Sequence, residues 1–176
     1  MTHDSTVTEH DLEVMAEQLG RPMRSAVGIP ARTADGTPMV VSTAPRLADG
    51  TPFPTFYYLT HPEVTREVSR LEAAGRMAEL NELLAADDDL AARYRAAHER
   101  YIADREAYGV VEEIAGVSAG GMPTRVKCLH ALVGHALAAG PGVNPIGDIV
   151  LDEIGWSREE GTLLPHLATE RNVPNT

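Results

Sequence analysis

Residues 26–43 read AVGIPARTADGTPMVVST, and this stretch decides the fold class. Ala26 to Arg32 carries Val27 and Ile29, and Pro38 to Thr43 carries Val40 and Val41. Between them lies Asp35-Gly36, a strong tight-turn pair, so the stretch reads as a β-hairpin. A third segment of strand character, Thr55 to Thr60, contains Phe56, Tyr57, Tyr58 and Leu59. The simplest topology is a three-stranded antiparallel meander. The connection Pro45 to Pro54 contains three prolines, which stiffen it, and ordered loops of that length are often functional.

Outward from the meander the pattern is helical. Before it, Leu12, Met15, Ala16 and Leu19 share one face of a helix from Thr8, with Gly20 placed to stop it. After it, Thr60 and Glu63 fit a capping box with Pro62 in the first turn, and Val64, Val68 and Leu71 form the apolar stripe. Met77, Leu80, Leu83 and Leu84 mark a short helix. Asp87-Asp88-Asp89 then caps a longer one with Leu90, Tyr94, Ala97, Tyr101 and Ile102 inward. Val110 to Val117 is readable as a helical turn or a strand. Pro123 is expected to open a helix running to about Ala139, apolar nearly all round and therefore central, and Asn144-Pro145 starts another. Strands grouped early and helices grouped late predict an α+β fold: a small three-stranded antiparallel meander packed against about five helices, one of them central and buried. The expected organisation is a disordered N-terminus over 1–7, a single domain over 8–154, and a loosely docked or disordered tail over 155–176.

Composition narrows the function classes. With 176 residues, 43% of them hydrophobic, the chain can bury a core, which excludes whole-chain disorder. Its 26 acidic and 15 basic residues give a net charge of -11, a poor match for nucleic acid. One cysteine excludes an internal disulfide, and neither a signal segment nor a membrane span is apparent, so a cytoplasmic location is expected.

Charge is distributed unevenly. Between Ile114 and Gly147 there is no carboxylate, while Arg125, the sole lysine Lys127, His130 and His135 all fall there. The stretch opens with Ser118-Ala119-Gly120-Gly121-Met122-Pro123, a flexible turn leading into the expected helix start. Converging glycine amides, a helix N-terminus and nearby cations make a candidate anion site. Arg46 would position the anion, Gly120 and Gly121 would cradle it, and Arg125 and Lys127 would neutralise it, with Ser118 and His130 bordering the site. The same turn also has a purely structural explanation, in which Gly-Gly supplies unusual backbone angles ahead of a buried helix.

Two sharper motifs are disfavoured. Gly116-Val117-Ser118-Ala119-Gly120 matches a nucleophile elbow, and Ser118, Asp148 and His166 follow the hydrolase order, but Glu112-Glu113 stand where a buried strand is needed. Cys128, His130 and His135, with His61 from elsewhere, form the other candidate, a metal set, but on a helix from Pro123 Cys128 and His135 share a face about 10 Å apart and His130 points elsewhere. That is too spread for one metal ion, and His130 and His135 are then read as neutral core histidines. No catalytic residue, metal or cofactor is assigned.

Three segments carry a family resemblance: PRLADGTPFPT at 45–55 with YYLTHP at 57–62, GGMPTRVKCLHAL at 120–132, and GPGVNPIGD at 140–148. Over roughly residues 10 to 150 the chain resembles the bacterial domain-of-unknown-function family 501, typical of actinobacteria. The resemblance implies no established activity, substrate or cofactor. Relatives often have cysteine where this chain has Thr33, and some where it has His61, which implies a thiolate or metal role in those relatives. Their genes tend to lie near exopolyphosphatase and division-septum genes, which implies a phosphate-related ligand. The expected function is binding of a phosphorylated small molecule. The alternative is a protein-interaction module in envelope or division control, presenting an exposed apolar patch at Met77 to Leu84 or around Trp156.

Overall fold

The computed structural model describes residues 6–168. Most of the expected disordered N-terminus (1–5) and the end of the expected tail (169–176) lie outside the described residues. The architecture is α+β, with six α-helices among the described residues and a three-stranded antiparallel sheet.

Helix α1 (Glu9–Leu19) is fixed at both ends by local chemistry. Thr8 and Asp11 exchange side-chain-to-backbone hydrogen bonds as a capping box, and Gly20 turns into the left-handed region at φ 69°. Strands β1 (Ala26–Arg32), β2 (Pro38–Thr43) and β3 (Tyr57–Leu59) form the meander in the order β1-β2-β3. The β1–β2 register is broken by irregularities, whereas β2 pairs regularly with β3 through Val40↔Leu59, Val41↔Tyr58 and Ser42↔Tyr57. Every residue of β2 is buried. A central strand covered on both faces explains the unbroken Met39-Val40-Val41 run: Val40 joins the main core, while Val41 packs with Met15 of α1 and Ile29. Arg32 forks onto Asp11 at 2.7 and 2.9 Å, tying α1 to β1 and holding the Asp11 carboxyl well below the usual range.

Helices α2 (Pro62–Ala73), α3 (Arg76–Ala86) and α4 (Asp88–Tyr108) follow, then one turn of 3-10 helix at Glu112–Ile114, which resolves the ambiguous Val110 to Val117 segment. The N-cap of α2 is His61, whose Nδ1 accepts from the Val64 amide at 3.4 Å. The expected Thr60 cap is displaced by one position. Asp87 caps α4 as its sequence suggests. Arg105 on α4 is 1% exposed and donates to the carbonyls of Pro54 and Ile114, so it pins two loops from inside.

The central helix is shorter than its periodicity suggests. Helix α5 runs Leu129–Ala139, and residues 120–128 form an irregular segment containing a cis Met122–Pro123 bond. Val126 is buried in that segment without being helical, so the apolar spacing continues across a boundary it cannot mark. Helix α5 lies between the sheet and helices α2 and α6 (Pro145–Ile154), with Leu129, Leu132 and Val133 fully buried. Each such side chain contributes roughly 1.5–3 kcal/mol of burial. A Cβ on Gly147 of α6 would come within 2.3 Å of the Leu132 carbonyl, so only glycine permits the observed approach of α6 to α5. Residues 156–163 fold back as a hairpin of β4 (Trp156–Ser157) and β5 (Thr162–Leu163), with Trp156 in the core. No helix among the described residues is long and apolar enough to cross a membrane.

Candidate functional site

The segment before α5 is held by its neighbours. The Asn81 side chain on α3 donates to the Val126 carbonyl and accepts from the Val126 amide, both at 2.9 Å, and Tyr94 on α4 donates to the Arg125 carbonyl at 2.8 Å. Within it, the Gly121 carbonyl accepts from the Arg125 amide, and the Gly120 carbonyl accepts from the Lys127 amide. A Cβ on Gly121 would lie 2.5 Å from the Arg125 carbonyl, at φ 95°, so the fold itself requires glycine there.

Because α5 begins at Leu129, Cys128 is its N-cap, with extended backbone (φ -147°, ψ 108°). Helical spacing therefore does not describe where its thiol points. The expected shared face of Cys128 and His135 is replaced by a different pairing, Cys128 with His130. Helix α2 brings a carboxylate to the same place: Glu72 Oε1 accepts from the Leu129 amide at 2.8 Å and lies 3.2 Å from His130 Nδ1. The other imidazole nitrogen, Nε2, lies 3.0 Å from Ser69 Oγ, one turn earlier on α2. Donor atoms of Glu72, Cys128 and His130 all fall within 4.8 Å of one another. The stretch without carboxylates in sequence thus has one at its centre in space.

The electrostatics follow from this contact. Hydrogen bonding with His130 lowers the Cys128 thiol pKa against the opposing effect of burial, and the Ala131 amide acts in the same direction. Reciprocally, Cys128 and then Glu72 outweigh burial and raise His130. His130 is only partly buried and so is not a core residue. His135 is: fully buried, stacked on Tyr57, with Nδ1 3.1 Å from the Asn144 amide nitrogen, it has its pKa pushed down to about 4 by burial.

Cys128 and His130 stand at one side of a cleft of about 430 Å³. Its walls come from the end of α1, from β3, from the start of α2 and from Gly120, and they are mostly apolar. Two wall residues carry buried polar atoms with no hydrogen-bond partner among the described residues: Gln18 Oε1 and Thr60 Oγ1. Both atoms are themselves shielded from solvent, so they lie behind the cleft surface and not on it.

Of the expected site residues, Gly120 and His130 line this cleft; Arg46, Ser118, Gly121, Arg125 and Lys127 do not. Arg46 is exposed, bound at 2.9 and 2.7 Å by Glu113 and donating to the Gly50 carbonyl. Ser118 is 3% exposed, with Oγ 2.7 Å from His98 Nδ1. Asp148 is engaged by Arg158 and the Gly142 amide, so Ser118, Asp148 and His166 form no triad. Arg125 and Lys127 are exposed. Reasoning from the sequence misses Glu72, Ser69, Gln18 and Thr60. Glu72 and Leu129 are 57 positions apart, and no local pattern links them.

No curated protein and no solved structure matches the chain. The segments spanning β1 to α6, which carry all of the cleft except its α1 wall, do match a family profile. The chain belongs to the family described as protein of unknown function (DUF501), matched over residues 29–152.

Proposed function

We propose that the protein binds a small organic molecule in the cleft between α1, β3 and α5. Its apolar body would lie against Leu19, Tyr57 and Leu59, and its polar head would reach Cys128 and His130. The observation that carries this reading is the largely apolar cleft itself, with Cys128 and His130 as the polar groups at one side. The head group is not a bare phosphate on this arrangement, because Glu72 already accepts from the first amide of α5 and carries negative charge into the site. What still favours an anionic ligand is His130, raised toward its cationic form. A cytoplasmic setting, which keeps the single cysteine reduced, fits this reading.

The interaction-module alternative draws no support from the segments that suggested it. Leu80, Leu84 and Trp156 are buried, leaving Leu83 half-exposed at 39%.

The test is a thermal-shift screen of small metabolites, nucleotides, phosphate and polyphosphate, paired with alkylation of Cys128 by iodoacetamide in the same samples. A stabilising compound is expected to protect Cys128 and to bind several-fold more weakly to His130→Ala, which removes one polar partner at the cleft. Stabilisation that leaves alkylation unchanged, or a screen in which nothing stabilises the protein, contradicts the reading.

A further inference from the structure

We infer that Glu72, Cys128 and His130 form a binding site for one divalent cation of the zinc class, with a coordination position facing the cleft. The inference deepens the cleft reading by supplying the chemistry of its polar end, and it stands on its own geometry. Three residues of the types that bind zinc converge from two helices, with donor atoms all within 4.8 Å of one another. Bonds of 2.0–2.3 Å in a tetrahedral shell place donors about 3.4 Å apart, and His130 Nδ1 and Glu72 Oε1 are separated by 3.2 Å. Closing the set needs only a small movement of the Cys128 side chain, which sits on an N-cap residue outside the helical ladder.

The donor set also selects the metal. A thiolate, an imidazole and one carboxylate suit zinc and disfavour magnesium and calcium, which take oxygen ligands. Ser69 occupies the position of an outer-shell partner: its hydroxyl meets His130 Nε2 and leaves Nδ1 as the nitrogen turned to Glu72. The Leu129 amide similarly orients the Glu72 carboxylate. One dication balances the charge of Glu72 and a Cys128 thiolate with His130 neutral, and a neutral centre with an open position accepts an anionic or neutral oxygen ligand from the cleft. Three protein ligands beside a cavity is the arrangement of a reactive zinc site and not of a closed structural one. Both Cys128 and His130 line the cleft, so an incoming ligand has direct access to that position.

The experiment titrates Co²⁺ alone into the full chain after chelator treatment. The expected result is one equivalent bound, with thiolate-to-cobalt charge-transfer absorption that competing Zn²⁺ abolishes. Cys128→Ser should remove that absorption. Glu72→Gln, which keeps an oxygen for the Leu129 amide, should weaken binding at least about tenfold, and Ser69→Ala should weaken it by a similar factor. Circular dichroism establishes that each variant is folded. Should Cys128→Ser fail to fold, His130→Ala decides, since its side chain is 28% exposed and outside the core; it must then lose at least about tenfold in affinity. Folded protein without charge-transfer absorption at saturating Co²⁺, or absorption that survives Cys128→Ser, overturns the inference. Ligand protection of Cys128 measured with chelator present separates the two proposals, because it reports on the cleft whether or not a metal binds.

Discussion

Thr60 is 2% exposed, and its hydroxyl has no partner among the described residues, so folding buries a polar group without compensation. Replacing it by the near-isosteric valine is expected to leave stability unchanged or raise it by up to about 1 kcal/mol in urea unfolding, the reverse of the usual outcome for a core threonine. Destabilisation beyond about 1 kcal/mol would show that the hydroxyl is satisfied in the folded protein. His135 gives a second test. Its pKa is about 4 in the folded protein because burial outweighs Asp104, which favours the charged form, while Arg100 opposes it. The unfolded histidine, near 6.5, takes up its proton first, so the stabilisation is complete above pH 6.5 and is lost as pH falls toward 4. Its full value is about 3 kcal/mol. His61 and His98, also lowered by burial, act in the same direction, and His130, raised, acts in the opposite one. The urea midpoint of the wild type should therefore fall between pH 7 and 4.5. His135→Leu should show a shallower fall, and an unchanged slope would contradict the account.

Single-residue signals place most element boundaries. The Thr8, Asp87 and Asn144 caps and the Gly20 stop are readable because each acts within four residues of the end it fixes. Helix α5 is not readable in the same way. Pro123 carries a first-turn signature, and the apolar spacing runs on through Val126, but the segment is held by Asn81 and Tyr94 from other helices. Tertiary contacts override the local pattern there, and the displaced start moves Cys128 from a helix face to an N-cap. Close approach between elements makes its own prediction. At Gly147 a Cβ would meet the backbone of Leu132 at 2.3 Å, whereas at Gly134 it would meet the Tyr57 carbonyl at 3.3 Å. Gly147→Ala should cost about 3 kcal/mol and lower the melting temperature by roughly 6–12 °C, with Gly134→Ala the milder of the two. Equal effects would contradict the close packing of α6 on α5.

At the scale of the whole molecule, the meander and the late helices are legible because turn chemistry and periodicity are local. The site is only half legible. Gly120 and His130 stand out in the sequence as parts of a candidate anion cradle, and both line the cleft. Arg46 draws notice on loop stiffness alone, and in the fold it answers to Glu113. The carboxylate that sets the character of the site arrives from α2, and only the packing of α2 on α5 reveals it. A double-mutant cycle tests that convergence without reference to any ligand. Urea unfolding of wild type, Glu72→Ala, His130→Ala and the double variant, all at pH 7 with chelator present, gives the coupling between the two side chains. A favourable interaction of at least about 0.5 kcal/mol is expected, whereas effects that add within about 0.3 kcal/mol would contradict the convergence of Glu72 and His130.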